Sequence, residues 1–133
     1  MQLIIRSKKS VAALAVIIVL MVSYGCAGFV DNAYKTAFTT NTLYDAGMKS
    51  VAQLQADGKI TKEQRVEINK YATAYYASLQ GFVVALSTYN QMKDKKSQDA
   101  LAIALSALVT NYTKLLEVAN AFAPGTFVKA EVK

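Results

Sequence analysis

The 133-residue sequence has no histidine, no tryptophan, one cysteine and one proline. Without histidine, Ser-His-Asp and Cys-His nucleophile systems are excluded. With a single cysteine as well, the usual zinc sites are excluded too. A single cysteine also forbids an internal disulfide. One proline and six glycines leave no room for a collagen-like or proline-rich extended chain. The charged share is 18% and the hydrophobic share 53%, which excludes a disordered chain. The length allows one domain. There is no glycine-rich phosphate loop and no nucleophile elbow. The acidic residues are scattered. Glu63 and Glu67 share a helix face near water, without the cleft and partner that acid–base chemistry needs. The expectation is a protein that is not an enzyme, with no catalytic residue, no cofactor and no metal site.

What the chain does have begins at its front. Arg6, Lys8 and Lys9 precede an uncharged apolar run, VAALAVIIVLMV, over residues 11–22. Ser23, Tyr24 and Gly25 follow, and then Cys26. A positive segment, a short apolar segment and small residues form the layout of a secretory signal. The positive end stays on the cytoplasmic side while the apolar run enters the membrane. Twelve helical residues reach about 18 Å, short of the roughly 30 Å hydrocarbon layer, so a signal ranks above a membrane-spanning anchor.

With Gly25 before Cys26 and Ser23 at the third position before it, this segment resembles the signal of bacterial lipoproteins. The resemblance covers residues 1–26. It implies that residues 1–25 are removed, that the Cys26 sulfur carries a diacylglyceryl group, and that the new amino terminus is acylated. Several acyl chains make membrane attachment stable, where one is marginal. Ala27 in place of an aspartate points, within that family, to the outer membrane facing the periplasm.

Three of the fifteen basic residues precede Cys26, leaving twelve against nine acidic ones from there on, a net charge of +3. Arg65 is the one arginine among the twelve. Nucleic-acid readout favours arginine forks and a basic stripe, so no nucleic-acid partner is expected. The densest cluster, Lys93-Asp94-Lys95-Lys96, reads as a solvated turn.

From residue 29 on the apolar spacing is helical. The seams run Val30, Tyr34, Ala37, Asn41, Tyr44, Met48, Val51, then Ile68, Ala72, Tyr75, Leu79, Phe82, Leu86, Tyr89, then Leu101, Leu105, Leu108, Tyr112, Leu115, Ala119, Phe122. All step by alternating three and four. Gly58 supplies a left-handed helix end. Thr61 and Gln64 make a capping box, Ser97 is a cap for the next helix, and Pro124-Gly125 stops it. The prediction is an all-α, up-down-up antiparallel three-helix bundle over residues 26–123. Its helices lie near 29–56, 62–92 and 98–122, joined by short turns. Antiparallel register sets Val51 against Ile68, Tyr44 against Tyr75 and Val30 against Tyr89.

Within that frame Asn41 is the one polar seam residue, either bonded to Tyr112 or turned to water. Gly47 falls near Tyr71, where a ring lying on the backbone explains it. Tyr71 and Tyr76 flank the seam and are the candidate partner contacts. Asp57-Gly58-Lys59-Ile60 matches the centre of a calcium loop, but Gln53, Gln55 and Gln64 stand where that loop needs its ligands, so a helical corner is expected. Residues 124–133 read as a flexible, frayed tail, with a strand-like peptide as the alternative.

The functional expectation is a lipid-anchored envelope protein acting as a structural or protein-interaction module. Its partners are the membrane, through Cys26, and a helical protein or further copies of itself. Two alternatives fit the same residues: a phage or prophage lysis accessory lipoprotein, and a carrier of a small apolar ligand between the helices.

Overall fold

The structure, a computed structural model, describes residues 26–129, with side chains from Gly28 onward. The expected leader over residues 1–25 and the last four residues lie outside the described residues. The described residues fold as an all-α bundle of three helices: α1 (Cys26–Ala56), α2 (Lys62–Met92) and α3 (Lys95–Phe122).

The turns are built by local chemistry. After α1, the Lys59 amide donates to the Leu54 carbonyl at 2.8 Å and the Gly58 amide to Gln55 at 3.1 Å. Gly58 has φ 71°, the left-handed conformation that glycine adopts without steric cost. Ile60 turns inward and is buried, so Asp57-Gly58-Lys59-Ile60 is a helical corner. Thr61 and Gln64 form the reciprocal capping box, with bonds of 3.1 and 2.9 Å.

The next corner is tighter than predicted. Asp94, not Ser97, caps α3, its carboxylate accepting from the Ser97 amide at 2.8 Å. Ser97 is buried in the first turn and donates its hydroxyl to Asp94. Lys95 and Lys96 are good helix formers, so the helix runs back to the aspartate. Asp99 pairs with Lys95 at 3.2 Å.

The seams of α2 and α3 are those read from the sequence. Ile68, Ala72, Tyr75, Phe82 and Tyr89 are buried, as are Leu101, Leu105, Leu108, Tyr112, Leu115 and Ala119. The inner face of α1 differs. Phe29, Ala33, Thr36, Ala37 and Thr40 are buried, whereas Tyr34 is 57% exposed. The face is turned by about one residue: Ala33 and Ala37 lie inward, while the Tyr34 ring stacks on Phe38 at the surface.

The helices are not evenly spaced. α2 and α3 approach each other far more closely than either approaches α1. Ala85 and Ala104 pack against the core, and across the contact the Asn111 amide bonds the Ser78 hydroxyl. Rings hold α1 off. Tyr44 stacks on Tyr75 at 4.6 Å, Tyr75 meets Tyr112 edge-on at 5.8 Å, and Tyr112 meets Phe127 at 6.3 Å. This ladder links all three helices and the segment after them.

That segment is not frayed over residues 124–129. Phe127 is 3% exposed. Its amide donates to the Asn120 side chain and its carbonyl accepts from the same side chain, each at 2.9 Å. The Tyr112 hydroxyl donates to the Val128 carbonyl at 2.6 Å. The ring beside Gly47 is therefore that of Phe127 rather than Tyr71. Burial of one large ring, with three hydrogen bonds to its backbone neighbourhood, outweighs the ordering entropy of a few residues.

Candidate functional site

Cys26 is the first residue of α1. Cys26 is also the residue to which the lipoprotein resemblance assigns the lipid.

The two tyrosines singled out as contacts are not brought together. They lie five residues apart on one helix, about 140° around its axis. Tyr71 is half-buried against the core, and Tyr76 is 52% exposed. Tyr76 instead shares a surface with residues the sequence reading did not assign to it. Val83, seven residues on, lies on the same stripe of α2 and is exposed. Arg65, on that stripe too, reaches Gln55 of α1 at 3.1 Å, so the stripe borders α1. On the α1 side stand Tyr34 and Phe38, both exposed, their rings stacked at 6.4 Å. The available signal was the i, i+4 spacing of two rings beside the Asp31–Lys35 ion pair, itself at 2.7 Å.

A second surface is the outer face of α3. Residues 100–113 contain no charged side chain. By length and composition α3 is apolar enough to cross a membrane, yet only 28% of its most apolar stretch is buried. An open depression of about 390 Å³ lies there, lined by Ile103, Ser106, Ala107, Thr110 and Asn111. None of these residues belongs to the buried core.

The electrostatics of the interior are those of a tyrosine core. Burial, partly offset by the bond to Thr40, pushes the Tyr75 hydroxyl up to about 12. Burial, with Tyr75 nearby, pushes Tyr112 up to about 12, and burial raises Tyr44 as well, with Asp45 and Tyr76 adding to it. Tyr75 and Tyr112 stay protonated and donate hydrogen bonds, to Thr40 and to the Val128 carbonyl. Asp94 is held below the ordinary carboxylate range by its bonds to Ser97.

Glu63 and Glu67 do not form a paired site, since Glu67 contacts Lys70 at 3.3 Å on the surface. Asn41 makes no bond to Tyr112, whose hydroxyl is engaged by Val128. No group of three or more acidic or cysteine side chains that could hold a metal ion occurs among the described residues. What the arrangement offers is surface: an aromatic stripe between α1 and α2, and an uncharged apolar face on α3. Searches of protein-family models, curated proteins and solved structures find no match to the chain.

Proposed function

We propose that this chain is a lipid-anchored cell-envelope protein whose bundle serves as a structural or protein-interaction module, without catalytic activity. The observation that carries the reading is the position of the sole cysteine. Cys26 stands between the apolar leader and the body of the bundle, at the first residue of α1. Removal of residues 1–25 would leave the lipid directly on the folded part. The exposed rings of Tyr34, Phe38 and Tyr76 and the outer face of α3 are surfaces of the kind that meet other proteins. Ala27 favours the outer membrane, facing the periplasm.

The test is mass spectrometry of the native amino terminus together with metabolic labelling by a fatty-acid analogue. The expected mature chain starts at an acylated Cys26. Cys26→Ala gives an unlabelled precursor that keeps its leader. A native chain starting at Met1, or undiminished labelling of the mutant, overturns the proposal.

A further inference from the structure

The outer stripe of α3 has a charge order that fits its own reverse. Lys96 and Asp99 stand at one end, Lys114 and Glu117 at the other, all exposed, with no charge between them. Lys114 and Glu117 have no ion-pair partner among the described residues. In the uncharged middle Ile103 is 71% exposed, the highest exposure of any large apolar residue described. Next to it Ser106, Ala107, Thr110 and Asn111 surround the open depression.

A second α3 laid antiparallel on this stripe, with a twofold axis between Ser106 and Ala107, satisfies both features at once. Lys114 then faces the second copy's Asp99, and Glu117 faces its Lys96. Ile103 of each copy falls opposite Thr110 of the other, into the depression. A parallel pairing in register would set Lys96 on Lys96 and Asp99 on Asp99, which is repulsive. The interface is isologous, as a twofold dimer requires.

We propose that the outer face of α3 binds a second copy of this chain, forming an antiparallel twofold dimer. This names the partner of the interaction module proposed above and to that extent rests on it. The lipid enters only through concentration, since a tether to one surface raises the effective concentration of copies. The two Cys26 residues then lie at opposite ends of the paired helices and level along the twofold axis, so both anchors enter one bilayer when the helices lie along its surface.

The test is disulfide trapping of the full chain in envelope membranes. Ser106→Cys places a thiol beside the axis, and Thr42→Cys places one on the exposed back of α1 as a control. Under mild oxidation Ser106→Cys is expected to yield about tenfold more covalent dimer than Thr42→Cys. Lys114→Glu, added to Ser106→Cys, lowers that yield about tenfold, because it turns two symmetric attractions into repulsions. Asp99→Lys, added to both, restores it.

Equal trapping at positions 106 and 42 overturns the dimer. So does indifference to Lys114→Glu, or a lack of rescue by Asp99→Lys in protein that accumulates normally. The lipid reading fails separately: a thiol reagent that labels Cys26 in the unsubstituted chain shows that sulfur free, and the contrast between positions 106 and 42 still decides the dimer.

Discussion

The ring of Phe127 fills the space that a side chain on Gly47 would occupy. A β-carbon built on Gly47 would overlap Cε1, Cδ1 and Cζ of that ring. Glycine in mid-helix costs about 1 kcal/mol relative to alanine, and here that cost makes room for a buried ring.

Gly47→Ala is therefore expected to destabilise the bundle by about 1–3 kcal/mol, the overpacking cost exceeding the gain in helix propensity. Phe127→Ala alone costs about 3–5 kcal/mol through the cavity it leaves. With Phe127→Ala already present, Gly47→Ala becomes stabilising. Chemical denaturation of the four proteins in this double-mutant cycle checks the change of sign. A Gly47→Ala cost that is the same in both backgrounds would show that the ring does not dictate the glycine.

The neighbouring pair Thr36 and Thr40 makes a second prediction. Both are buried on α1, but their hydroxyls fare differently. Thr40 donates to the Ala37 carbonyl at 3.0 Å and accepts from the Tyr75 hydroxyl at 3.3 Å. The Thr36 hydroxyl has no hydrogen-bond partner among the described residues. Thr36→Val keeps the shape and removes an unsatisfied polar group, so a gain of about 1 kcal/mol is expected. Thr40→Val strands the Tyr75 hydroxyl and costs about 1–3 kcal/mol. Melting temperatures of the two variants should move in opposite directions.

Much of the bundle was legible in the residues, and the parts that were not share a cause. The seams of α2 and α3, the Gly58 corner and the Thr61 cap follow from spacing and from side chains acting on their own backbone. The pairing of Tyr44 with Tyr75 followed from register. The inner face of α1 did not, because two neighbouring heptad stripes both contain apolar residues. The choice between Tyr34 and Ala33 is made only when the helices pack, burying Ala33 and leaving Tyr34 exposed. Phe127 was missed for the same reason. Its place depends on a gap at Gly47, far away in sequence, and on the side chain of Asn120 across the Pro124-Gly125 turn. For the candidate site, the position of Cys26 is wholly a matter of sequence. The surface joining Tyr34, Phe38, Tyr76 and Val83 exists only once α1 and α2 lie side by side, and Tyr71 falls away from it because five residues carry it around the helix.

Alkaline titration tests the tyrosine core. In the folded chain Tyr75 and Tyr112 are both pushed up to about 12 by burial, from an ordinary value of 10.0. The folded state thus holds protons that the unfolded state releases first. The stability tied to these protons is complete below about pH 10 and is lost as pH rises towards about 12. Ultraviolet absorbance should show a late tyrosine phase, towards pH 12, that coincides with loss of helical circular dichroism. Tyr75→Phe should shrink the late phase. A single phase near pH 10 with the helices intact would mean that these hydroxyls reach water.

The corner between α2 and α3 gives the last test. Lys93 closes α2 with φ 49°, the one described residue other than glycine at positive φ. A side chain there costs about 1 kcal/mol, which glycine avoids. Lys93→Gly should therefore stabilise the chain by up to about that amount. Asp94 next to it caps α3 through the Ser97 amide, and Asp94→Ala should lower stability by removing that cap. Because the Asp94 carboxyl is held below the ordinary range by Ser97, its contribution is present above the unfolded value near pH 4 and fades as pH falls below it. Denaturation midpoints at neutral and at acidic pH separate the two effects. The Lys93→Gly gain should be the same at both, and the Asp94→Ala loss should shrink in acid. An Asp94→Ala loss that did not change with pH would mean that the carboxylate charge plays no part in the cap.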